Sequence, residues 1–87
     1  PGPPAGLTPL LQAIWLALQG QWERAHALAQ AGDDRESAWV HAWLHRVEAD
    51  LPNARYWYGR AGRAAAVDDV RDEGIRIATA LLEARGD

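Results

Sequence analysis

The sequence predicts an all-α protein: a five-helix bundle of two tandem helical hairpins plus a C-terminal capping helix. Three observations predict it. The chain matches itself at an offset of 29 residues, with Gly20 falling on Ala49, Trp22 on Leu51, Ala25 on Ala54, Ala29 on Tyr58 and Gly32 on Ala61. A period of this length is that of a helix-turn-helix unit, here used twice. Apolar residues recur at helical spacing, as in Leu11, Ile14, Trp15 and Leu18. A last apolar stripe, from Val67 to Leu82, has no counterpart in the repeat, as befits a helix that closes an array.

The elements follow in order. Pro1-Gly2-Pro3-Pro4-Ala5-Gly6 has nothing to bury and no helical propensity, so residues 1–6 are expected to form a flexible lead-in to a single helical domain over 7–87. Thr8 suits an N-cap and Pro9 the first helical position, which starts the first helix. Gln19-Gly20-Gln21 breaks it, with Gly20 suited to a left-handed turn. The second helix is expected over Trp22 to Ala31, with Ala25, Leu28 and Ala29 inward. Asp33 or Asp34 caps the third, and Asp33 with Glu36 has the spacing of a capping box. Val40, Trp43, Leu44 and Val47 mark its buried stripe. Ala49-Asp50 forms the second tight turn, and Asp50 can cap the fourth helix, whose inward face is Ala54, Trp57, Tyr58 and Ala61. Gly62 ends it. The fifth is expected from about Val67 to Ala84, with Val67, Val70, Ile77 and Leu81 in one stripe widened by Ala78 and Leu82. Asp68, Asp69, Asp72 and Glu73 near its start, and Arg85 at its end, complement the helix dipole. Gly74 inside this helix costs stability unless a close contact requires it.

Composition narrows the function classes. The 87-residue chain is one domain that buries roughly 60–65% of its unfolded surface, so its core is small. Five Trp and two Tyr, with no Phe or Met, supply the bulk. Cysteine is absent, which excludes disulfides and thiolate metal sites and fits a cytoplasmic location. No apolar run approaches the ~20 residues of a membrane helix, and no signal peptide is visible. The net charge of −3 disfavours nucleic acid, whose binding rests on phosphate neutralisation. Every basic residue is Arg, and with much Ala, Gly and Pro this composition is associated with GC-rich bacterial genomes.

The second hairpin resembles a tetratricopeptide unit. Ala42 lies seven residues before Ala49-Asp50, where that family sets a small residue ahead of a Gly-Asp turn. Ala54, Tyr58 and Ala61 match its small-aromatic-small pattern. The first hairpin keeps Ala13, Gly20 and Ala25 and places Ala29 at the aromatic position. The match spans roughly Leu10 to Gly62. The spacing of 29 is shorter than the family's usual ~34, and Gln12, His41 and His45 stand where it has large apolar residues. Leu44-His45-Arg46 with Arg55-Tyr56-Trp57-Tyr58-Gly59-Arg60-Ala61-Gly62 also resembles a group of small bacterial helical proteins without an assigned activity. The tetratricopeptide resemblance implies a module that binds proteins or peptides.

Two constellations could carry function. Arg55, Tyr56 and Arg60 lie on the outer side of the fourth helix, and Arg46 joins them if the third and fourth helices pair closely. Arg offers charge-assisted hydrogen bonds, Tyr an aromatic anchor, and His45 a polar contact sensitive to pH. On this reading the protein is a non-catalytic helical-repeat interaction module that binds a peptide, a protein partner or its own copy. The alternatives are that these Arg residues are a solvated face, or that Tyr56 flanked by Arg stacks on a nucleobase or holds an anion. Surplus tryptophans, if exposed, would favour homodimerisation.

The rival function is a small-ligand or divalent-metal site between the hairpins. His41 and His45 are four apart and share a helix face, Glu48 continues that line, and His26 lies on another helix. Nitrogen and carboxylate ligands of this kind suit zinc or another divalent ion. The alternative is that the histidines are contact residues in the helix seam. His41 is followed by Ala42 and not by Glu, so the HExxH metalloprotease pattern is missing. Asp33-Asp34, Asp68-Asp69 and Asp72-Glu73 are paired carboxylates, but helix capping explains them. Ser37 lies in a first helical turn and Thr79 within the fifth helix, and neither stands out as a nucleophile. No catalytic constellation is identified, and no cofactor is expected.

Overall fold

The ends of the helices obey local chemistry. In the computed structural model, which describes residues 3–85, five α-helices run in order: α1 Pro9–Leu18, α2 Trp22–Gln30, α3 Arg35–Val47, α4 Leu51–Ala61 and α5 Val70–Arg85. No strand occurs among the described residues. Pro1 and Gly2 of the expected lead-in lie outside the described residues, as does the Arg85 side chain. Thr8 caps α1 by accepting the Leu11 amide. Asp34, and not Asp33, caps α3: its carboxylate accepts the Ser37 amide at 3.3 Å and the Ser37 hydroxyl, so the Asp33–Glu36 capping box does not form. That hydroxyl bond pulls the Asp34 carboxyl below its usual range. Asp50 occupies the N-cap position of α4 without a side-chain cap bond.

The two hairpin turns share one hydrogen-bond scheme at the 29-residue offset. Gln21 N–H donates to Leu16 and Gly20 N–H to Ala17; Asp50 N–H donates to His45 and Ala49 N–H to Arg46. These are paired Schellman closures, which require a left-handed residue at the turn. Gly20 takes it at φ 83° and Ala49 at φ 65°.

α1 with α2, and α3 with α4, form the two hairpins, and α2 packs on α3 to join them. α3 is the central rod. Every residue from Ser37 to His45 is buried, because α1, α2, α4 and α5 all lie against it. Alanine makes the approach close: Ala13, Ala25 and Ala42 have no exposure and Ala54 almost none. α5 closes the open side by packing on α1 and α3.

α5 starts later than the sequence suggested. Asp69 accepts the Arg71 and Asp72 amides, which begins the helix at Val70. Val67 is therefore outside the helix and almost fully exposed, and Leu82 is half-exposed; neither belongs to the buried stripe. The face that does turn inward carries Glu73, Gly74, Ile77 and Leu81. Glu73 is wholly buried and serves more than the helix dipole. It accepts the Tyr58 hydroxyl at 2.6 Å and Arg46 Nη1 at 2.8 Å, which ties α5 to α4 and α3. Burial, and then the Glu73 carboxylate, push the Tyr58 phenol well above its usual range. Gly74 faces the buried Trp43 ring, and a Cβ there would run into it. Trp43 Nε1 donates to the Val70 carbonyl at 2.8 Å.

The tryptophans form no exposed cluster. Trp39 and Trp43 are buried, and Trp15, Trp22 and Trp57 are half-buried against the core. The expectation that surplus tryptophans mark a dimer surface loses its premise. No helix among the described residues is long and apolar enough to cross a membrane.

Candidate metal centre in the hairpin seam

Helical geometry puts His41 and His45 one turn apart on the face of α3 that meets α2. Ala25 and Ala29 of α2 let that helix come close enough for His26 to reach them. His26 Nε2 lies 2.9 Å from His41 Nε2. The ring centroids are 4.6 Å apart for His26 and His41, 5.3 Å for His26 and His45, and 4.8 Å for His41 and His45. One nitrogen from each ring falls within 4.8 Å of the other two. A tetrahedral ion with metal–nitrogen bonds of ~2.0–2.1 Å needs nitrogens roughly 3.3 Å apart.

The surroundings favour neutral, correctly turned imidazoles. Burial lowers the His41 pKa to about 4, with the other two histidines adding to the effect. Burial also lowers His26, helped by His45. Both shifts favour the neutral imidazole that metal ligation demands. Glu48 Oε2 sits 2.7 Å from His45 Nδ1. That pairing engages Nδ1 and leaves Nε2 for a metal, the arrangement in which a carboxylate orients a ligating histidine. Glu48, offered by the sequence as a ligand, also converges with His45 and Asp50 in a second set of possible ligands.

Two indoles wall the cluster. Trp22 stacks on His26 at 4.7 Å and Trp57 on His41 at 4.0 Å, each at 15° between planes. Trp22 Nε1 donates to the Leu44 carbonyl at 2.6 Å, so this ring crosses the seam onto α3. Sequence analysis assigned neither indole to the histidines. The one available signal was spacing: Trp22 precedes His26 by a single helical turn.

The second constellation is assembled differently from its expectation. Arg55, Tyr56 and Arg60 share the exposed side of α4, and Tyr56 is 55% exposed. Arg60 Nη1 donates to the Tyr56 hydroxyl at 2.9 Å, and its guanidinium lies 5.5 Å from the Trp57 ring centre. His45 is not part of that surface: it is buried in the seam. Arg46 is not part of it either, because Glu73 and Asp68 engage its guanidinium on the α5 side.

The buried Glu73 with Tyr58 and Arg46 went unread in the sequence. Its signal was present, since Val70, Glu73, Ile77 and Leu81 keep helical spacing and Glu73 occupies an apolar position. The chemistry there is structural, as all three groups satisfy one another.

Comparison of the chain with protein-family models, with curated proteins and with solved structures returns no match. The class defined by fold and site is an all-helical domain with three histidines gathered in the seam between its hairpins.

Proposed function

We propose that this protein binds a divalent transition-metal ion through His26, His41 and His45. The observation that carries the reading is convergence: three histidines, on two helices of different hairpins, bring one nitrogen each within 4.8 Å. The chain has only these three histidines. Imidazole ligands suit zinc, copper, nickel or cobalt and disfavour magnesium and calcium, which prefer oxygen. Because α2 and α3 belong to different hairpins, the ion joins the two halves of the domain. Isothermal titration of chelator-treated protein with zinc tests this. Binding at a ratio of one, lost in His26→Ala with helicity retained, is expected. No heat with any of these four ions would refute it.

A second reading, an interaction module for a protein, a peptide or its own copy, is favoured by the exposed Tyr56 braced by Arg60. Aromatic and Arg residues of this kind are enriched where binding energy concentrates. Its self-association form predicts a mass that rises with concentration in light scattering and falls back to the monomer in Tyr56→Ala/Arg60→Ala. A monomer at all concentrations in both proteins would remove that form.

A further inference from the structure

We infer that the bound ion has a fourth coordination position, which takes a small monodentate anion from solution. The inference rests on the metal reading above and deepens it. Among the described residues, the three histidines converge with no carboxylate in their own set, while a second set joins His45 to Glu48 and Asp50. Glu48 is engaged with His45 Nδ1 at 2.7 Å. A divalent ion bound by three nitrogens prefers at least one further ligand, and sites with three protein ligands leave it to solvent or substrate.

Charge and shape then set the class of ligand. Imidazoles ligate as neutral donors. They leave the ion's double positive charge undiminished. The Glu48 carboxylate on His45 Nδ1 offsets one unit, so one positive charge stays uncompensated next to two buried rings. A single anion brings the centre to neutrality, which a low-dielectric position favours strongly. Trp22 and Trp57 stack on the outer faces of His26 and His41 and hem the cluster from both sides. His26 is the half-exposed member, so the approach from solvent is on its side. A ligand entering there passes beside stacked indoles, which favours a small one. Hydroxide, azide and short carboxylates meet these limits.

Cobalt(II) substitution with azide titration tests the inference. The wild-type protein loaded with one cobalt is expected to show the intense visible bands of a four-coordinate site. Azide should shift them saturably, whereas raising pH without azide should produce a separate shift from hydroxide. His26→Ala, at the half-exposed position, should lose the azide-sensitive bands while circular dichroism stays helical. Absence of any cobalt spectrum would overturn the metal reading itself. Four-coordinate bands that do not respond to azide or pH would leave the metal reading standing and overturn the open position. An azide response seen in Glu48→Gln and absent from wild type would overturn it too, by showing that Glu48 fills the fourth place.

Discussion

His26 Nε2 of α2 lies 2.9 Å from His41 Nε2 of α3, so one imidazole donates to the other across the seam between the two hairpins. That bond needs at least one ring neutral, and burial keeps His41 so down to a pKa of about 4.

This relationship makes the metal-free fold sensitive to mild acid. The folded pKa of His41 lies below the unfolded value of 6.5. Above pH 6.5 both states hold the ring neutral, so nothing is lost. Below it the unfolded chain takes up a proton that the folded one refuses, and stability falls until the folded ring also titrates near pH 4. His41 alone accounts for about 2 kcal/mol between pH 6.5 and about pH 5, a fall in Tm of roughly 8–16 °C for a domain this size. Thermal melts in chelator, compared with His41→Gln, check this. A variant that folds and keeps the same slope would assign the acid sensitivity elsewhere.

Tyr58 and Glu73 predict a second set of melts. Tyr58→Phe keeps the ring in the core and leaves Glu73 with Arg46 as its remaining partner. Loss of a buried hydrogen bond to a charged acceptor costs about 1.5–3 kcal/mol. Urea denaturation should show this as a lower midpoint with an unchanged slope. An unchanged midpoint would mean that water replaces the phenol without cost.

Ala49 holds a left-handed conformation at φ 65°, in the place where the first hairpin uses Gly20. An L-residue with a Cβ pays about 1–2 kcal/mol there, while glycine costs more entropy in the unfolded chain. Ala49→Gly should therefore stabilise by about 0.5–1 kcal/mol, a rise of a few degrees in Tm. A fall would show that the Ala49 methyl makes contacts worth more than its backbone strain.

Gly74 predicts the opposite sign. In an exposed helix, Gly→Ala gains about 1 kcal/mol. Here the added methyl meets the buried Trp43 ring, which cannot move without disturbing its bond to the Val70 carbonyl. Overpacking of this kind costs about 1–3 kcal/mol. Gly74→Ala should be neutral to destabilising, by up to about 2 kcal/mol, with near-ultraviolet circular dichroism of Trp43 altered. A clearly higher Tm with an unchanged tryptophan signal would count against the contact.

The sequence by itself determined that the chain is helical and where its tight turns fall. Thr8-Pro9, Gly20 and Gly62 act through their own backbone neighbours, so their effects survive without knowledge of the rest of the chain. Either Asp33 or Asp34 could cap by sequence, and Asp34 does so because α3 begins at Arg35, which sets the Ser37 amide against its carboxylate. The candidate metal centre was half legible. The four-residue spacing of His41 and His45 places both on one helix face, but nothing local says that α2 brings His26 to that face, or that Trp22 and Trp57 close around it. Tertiary packing alone decided that His45 turns inward away from Tyr56, that Arg46 reaches Glu73, and that Val67 and Leu82 stay in solvent. The physical reason is range: capping and turn energies act within about four residues, whereas the burial that neutralises His41 and hides Glu73 depends on helices that meet only after the chain has folded.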